Sequence, residues 1–219
     1  MGEARTKRQL REVELRIVKQ IDSAVDLARV SSAIRKLAEA ASSHVGADCY
    51  LHADLCRELL KQHGVESRLV IGFAAWRVGD GHGDVIVHAP LQGMAPQPEA
   101  LPFHAWLEIG PAESAHRLIL DFSTYQLRRK AAELDALDGG DTNVNWCPDY
   151  LAALATDVSS LEDVTMKTKG LFFYRPHSDL QRYVEHKAGA IDQVDLNNLI
   201  LLYRNPNIQV IGPNDIKDL

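Results

Sequence analysis

Two short alternating segments, residues 103–109 and 117–122, constrain this chain more tightly than any other feature. Each follows the period of two that a pleated strand imposes, with successive side chains on opposite faces. Paired as an antiparallel hairpin, Phe103 faces Phe122, Ala105 faces Leu120 and Leu107 faces Leu118, and one face is wholly apolar. The other face then sets His104 opposite Asp121, Trp106 opposite Ile119 and Glu108 opposite Arg117. A slip of one residue would set apolar positions against polar ones, so this register is the expected one.

A sheet with an apolar face needs a cover, and the chain supplies amphipathic helices for it. Residues 6–43 carry Leu10, Val13, Ile17, Ile21 and Val25, then Val30, Ile34, Leu37 and Ala41, at the three- and four-residue spacing of one helix face. Ser31 or Ser32 is the expected N-cap that divides this stretch into two helices. After a loop at 44–47, residues 48–62 read as a helix with Asp48 as N-cap, Leu51, Leu55, Leu59 and Leu60 inward, and Gly64 as its stop. Strands are expected at 67–78 and 84–88 around the glycine-rich turn 79–83, followed by a proline-containing loop at 90–102. Beyond the hairpin come a helix at 126–137, a polar loop at 139–148, a strand at 171–174, helices at 178–187 and 195–203, and a terminal strand at 208–211. The expected fold class is α+β, with an N-terminal helical segment (1–45), a core (46–150) and a C-terminal extension packing on that core (151–219).

Composition narrows the function. With 24 basic against 30 acidic residues and a net charge of −6, the chain lacks the basic face that phosphate binding needs, so no nucleic-acid partner is expected. No stretch approaches the ~20 apolar residues of a membrane span, and no apolar run follows the basic start as in a secretory leader. Three cysteines, Cys49, Cys56 and Cys147, are too few and too odd for a disulfide framework; a reducing, cytoplasmic setting is expected.

Cys49 falls in the first turn of the 48–62 helix, where the helix dipole and free backbone N–H groups favour a thiolate. The Cys49 N–H is also a candidate oxyanion donor. An imidazole whose second nitrogen is held by a carboxylate is the base such a thiol requires, and His104 with Asp121 across the hairpin is that arrangement. Cys49, His104 and Asp121 are therefore the candidate catalytic residues.

The stretch from Cys49 through Ala53, Leu59, Leu60, Gly64, Val65, Arg68 and Val70 to Gly72, the block His104-Ala105-Trp106-Leu107-Glu108 and the block Asp121-Phe122-Ser123-Thr124 occur in that order. In this the sequence resembles the transglutaminase-like branch of the papain-like fold, which includes arylamine N-acetyltransferases and peptide N-glycanases. The resemblance spans residues 46–125 and implies a nucleophile helix packed on an antiparallel sheet. It assigns the triad roles to Cys49, His104 and Asp121. Phe122 stands where family members often carry proline, and Tyr50 where tryptophan is usual; both alter the substrate pocket and neither touches the triad.

The expected activity is a thiol-dependent hydrolase or acyltransferase acting on an amide, ester or thioester bond, with peptidase or amidase chemistry the first choice. A soluble small-molecule or peptide substrate is expected, with no cofactor and no metal; no coenzyme A motif is present. The competing reading is a catalytically inactive interaction module whose helical tails serve a protein partner. Zinc on Cys49, His52 and Cys56 with His44 is disfavoured, because three ligands along one helix diverge from a common centre. Asp80, His82, Asp84 and His88 read as a solvated hairpin, Trp76, Trp106 and Trp146 as packing residues, Cys56 as core and Cys147 as a spare thiol. Ser123 and Thr124 are candidates to steady Asp121.

Overall fold

The computed structural model describes residues 16–21, 23–40, 48–89, 102–166, 169–210 and 212. Residues 16–21 and 23–24 are helical, and helical geometry stops at Val25 and Asp26 before helix α1 (Leu27–Ala40). The expected cap at Ser31 or Ser32 is corrected here. The Asp26 carboxylate accepts from the Arg29 N–H at 2.9 Å. Both serines lie inside α1, and buried Ser31 donates instead to the Asp149 carbonyl at 2.8 Å. An aspartate ahead of the helix satisfies one of the orphan N–H groups, which leaves Ser31 free for a tertiary contact. Leu10, Val13, Ala41 and His44 lie outside the described residues.

Helix α2 (Cys49–Gln62) ends at Gly64, whose φ of 76° is the left-handed turn that favours glycine. Strands β1 (Arg68–Arg77), β2 (Val85–His88), β3 (His104–Ile109) and β4 (Leu118–Asp121) follow. Then come helix α3 (Leu127–Asp138), strand β5 (Leu151–Leu154), the short helix α4 (Leu161–Met166), strand β6 (Phe172–Pro176), and helices α5 (Ser178–Lys187) and α6 (Gln193–Arg204). The fold is α+β: helices flank a curled antiparallel half-barrel sheet. Strand β5 and helix α4 were not expected. The terminal strand was, but residues 208–210 are irregular, held by the Ile208 N–H on the Asn205 carbonyl. Ile208 gives its carbonyl to Lys36 Nζ at 2.8 Å rather than to a neighbouring strand.

Strand β1 organises the sheet. Gly72 pairs both His104 of β3 and Pro176 of β6, so these two strands occupy opposite edges of β1. Ala74, Ala75 and Trp76 pair both β2 and β6, so β2 lies on the same edge as β3, farther along. The chain thus leaves that lane at His88, opposite Ala74, and re-enters at His104, opposite Gly72. A Cβ at Gly72 would lie 2.1 Å from the Arg175 carbonyl oxygen, so this crowded junction admits only glycine without backbone movement.

The β3–β4 register differs from the expected one. Leu107 pairs Leu120, Glu108 pairs Ile119 and Ile109 pairs Leu118, a shift of two residues. An even shift preserves the face of every side chain, so the wholly apolar face survives and His104 and Asp121 stay together on the other. Alternation specifies parity only; the connection decides between registers of equal parity. Here Gly110, at φ 102°, opens a turn closed by the Ser114 N–H on Pro111 and the Arg117 N–H on Ser114. His104 and Asp121 are consequently diagonal rather than directly opposed, as are Glu108 and Arg117, which still pair at 2.9 Å.

The sheet buries both faces. Ala105, Leu107, Leu118, Leu120 and Phe122 pack with Leu55, Leu59 and Leu60 of α2 and with Leu199 of α6. Trp76, Trp106, Ile119 and Tyr174 pack with Leu127 and Ala131 of α3. Among the described residues no helix is long and apolar enough to cross a membrane.

Candidate active site

Asp48 accepts from the Leu51 N–H at 3.1 Å and so caps α2, which puts buried Cys49 at the first helical position. His52, one turn on, braces this end. Its Nδ1 donates to the Asp48 carbonyl at 2.7 Å, so its Nε2 is the acceptor for the Tyr125 hydroxyl at 3.1 Å. Gln126 Nε2 donates to the same hydroxyl at 2.9 Å. Burial lowers the His52 pKa and raises that of Tyr125 to about 12, so both remain neutral and hold the helix start in place.

His104 is completely buried, and its Nε2–H donates to Asp121 Oδ2 at 2.7 Å. Its Nδ1 has no hydrogen-bond partner among the described residues. The Cys49 thiol lies beside this ring, and the Ala105 N–H also interacts with the sulfur. A base whose proton sits on the carboxylate side presents its other lone pair to the thiol, the tautomer needed for deprotonation.

Asp121 is held as firmly as it holds. Oδ1 accepts from the Ser123 N–H at 2.9 Å and the Ser123 hydroxyl at 2.8 Å. Oδ2 also accepts from the Tyr174 hydroxyl at 2.7 Å, and that oxygen accepts from Trp76 Nε1 at 2.9 Å. Ser123 thus steadies Asp121 as expected. Thr124 does not: its hydroxyl donates to the Pro148 carbonyl at 3.0 Å.

Electrostatics follow this geometry. Burial alone would raise the Cys49 pKa, but His104, the Lys130 charge and the Ala105 N–H outweigh it and bring the thiol below its ordinary value. Burial would lower the His104 pKa, but Asp121 and Cys49 raise it. Burial opposes the Asp121 carboxylate too, yet His104, Tyr174 and Ser123 hold it well below the usual range. Cys56 is the contrast: burial and the Asp121 charge push its thiol far up, as for an inert core cysteine.

Three neighbours escaped the sequence reading. His88 packs against His104 with ring centroids 5.6 Å apart, because the two share one lane beside β1. Tyr174 arrives on β6, and Lys130 is buried on α3 with its Nζ 5.7 Å over the Trp76 ring. Only the Phe172–Tyr174 aromatic run signalled that β6 would face inward. Trp76 and Trp106 are core residues as expected, though Trp76 also serves the Asp121 network. The other histidine and acid groups are dispersed. Asp80 pairs with Lys169, and Asp84 accepts from the Gly81 and Asn143 N–H groups. Cys147 lies against the Thr124 and Tyr125 carbonyls.

Neutral burial of His52 has a consequence for acid stability. A group whose folded pKa is depressed contributes stability that is complete above its unfolded value of ~6.5 and is lost as pH falls towards the folded value. Urea midpoints of the wild-type protein are expected to drop between pH ~7.5 and ~5.5, and His52→Gln to show a smaller drop across that window. Parallel curves would contradict the neutral assignment.

No protein-family model matches the chain, and no curated protein matches it. A solved crystal structure described only as that of a genomics protein is similar at 20% identity, over 81% of this chain and 76% of that one, with a TM-score of 0.47.

Proposed function

We propose that this protein is a thiol-dependent hydrolase or acyltransferase of the transglutaminase-like branch of the papain-like fold. It acts on an amide, ester or thioester of a soluble small molecule or peptide. The observation that carries this reading is the buried His104–Asp121 pair at 2.7 Å, whose Nδ1 has no hydrogen-bond partner among the described residues, beside Cys49 at the start of α2. A scaffold has no use for a depressed thiol beside a histidine of fixed tautomer.

In the proposed reaction His104 Nδ1 takes the thiol proton and Cys49 Sγ attacks the carbonyl carbon. The Cys49 N–H, in the first turn of α2, steadies the oxyanion. Collapse expels the amine, alcohol or thiol, which leaves with the proton from His104. Water or an amine then attacks the acyl-enzyme, giving its proton to His104, and the second collapse releases Cys49. Peptidase or amidase chemistry remains the first choice, and no cofactor enters the scheme.

The test is acylation itself. On incubation with an activated acyl ester, mass spectrometry is expected to find a transient adduct on Cys49, absent in Cys49→Ala and persistent in His104→Ala if formed there at all. An adduct distributed over Cys49 and half-buried Cys147 alike would favour the interaction-module reading.

A further inference from the structure

Lys130 is an ionisable side chain in the interior that the triad scheme does not use. It is 5% exposed, on the face of α3 that packs against the sheet. Its Nζ sits 5.7 Å over the Trp76 ring, and the same ring meets His104 edge-on at 4.8 Å. No described residue hydrogen-bonds or ion-pairs with this ammonium. The carboxylates within its reach are committed: Asp121 to His104, Tyr174 and Ser123, and Glu133 to Arg129 at 3.2 Å. A buried cation without a counterion costs several kcal/mol, a cost that a cation–π contact offsets only in part.

We propose that Lys130 is the substrate-recognition cation of this centre: it receives a carboxylate carried by the acyl substrate and so directs the enzyme to anionic acyl compounds. The inference rests on the thiol-enzyme reading and adds the substrate class. The placement supports it, because one indole links the two groups: Trp76 carries the Lys130 ammonium over its ring at 5.7 Å and meets the His104 imidazole edge-on at 4.8 Å, which sets the cation in the ring cluster of the triad histidine rather than at a remote surface. A carboxylate bound there gains a charge-assisted contact in a site shielded from water, and a neutral substrate gains none.

Two alkylating reagents of nearly equal size separate recognition from simple thiolate activation. If Lys130 only stabilised the thiolate, its loss would slow neutral iodoacetamide and anionic iodoacetate alike. Recognition of a carboxylate predicts that the iodoacetate-to-iodoacetamide rate ratio at Cys49 falls about tenfold in Lys130→Met and is retained in Lys130→Arg. An unchanged ratio in Lys130→Met overturns the proposal. Should that variant fail to fold, the wild-type protein decides: succinate is expected to protect Cys49 from iodoacetamide and succinamide is not, and equal protection by both, or by neither, overturns it. Failure of the underlying reading looks different, since Cys49 would then react with neither reagent faster than Cys147.

Discussion

Asp121→Asn is expected to lower the rate of Cys49 acylation by about three to four orders of magnitude while leaving the fold intact, as the equivalent change does in a Ser-His-Asp enzyme. The reason is the tautomer. The Asp121 carboxylate accepts from His104 Nε2, from Tyr174 and twice from Ser123, so all its partners are donors. An asparagine at this position keeps one acceptor oxygen, which Ser123 retains, and turns its amide towards His104 and Tyr174. Nε2 must then accept, Nδ1 carries the proton, and the imidazole presents N–H rather than a lone pair to the thiol. Single-turnover acylation, followed by release of a chromogenic leaving group, measures the loss. A decrease of tenfold or less would mean that Asp121 does not set the tautomer of His104.

The largest stability effect is expected at Trp106. Its side chain is completely buried on the face of the sheet that packs against α3, with its ring 5.2 Å from Tyr174 and stacked at 14° on His104. Trp106→Ala removes a side chain as large as any on this face of the sheet and leaves a cavity between the sheet and α3. The expected cost is about 3–5 kcal/mol, read from urea denaturation. The Trp106 N–H to Glu108 contact, 3.3 Å, contributes little to this, since Glu108 keeps Arg68 and Arg117 at 2.9 Å each. A loss below about 1 kcal/mol would show that this core is not packed as described.

How far residues alone specified the site depends on the kind of information each position carries. Asp48 and Cys49 were legible because capping is local: a carboxylate before an amphipathic run has one economical use. His104 and Asp121 were legible as partners because parity places them on one face, although their diagonal offset depended on the turn after Gly110. Tyr174 lies 53 residues from Asp121, and no short-range pattern links them. The nearness of His88 to His104 follows only from β2 and β3 sharing an edge of β1. Lys130 was misleading, since a lysine in a helix ordinarily marks the wet face. Strand β5, Leu-Ala-Ala-Leu, has neither alternation nor β-branched residues and is a strand because β4 offers it an edge.

The most direct test of the thiolate–imidazole pair is the pH dependence of iodoacetamide alkylation, located by mass spectrometry, in the wild-type protein and in His104→Ala. Comparison by midpoint rather than absolute rate removes the effect of burial at Cys49, and Cys147 in the same molecule serves as the reference thiol. The pair predicts that alkylation of wild-type Cys49 rises with a midpoint below the ~8.5 of a free cysteine, and that His104→Ala moves it to that value or above. A Cys49 midpoint at or above that of Cys147, or one unmoved by His104→Ala, would contradict the account.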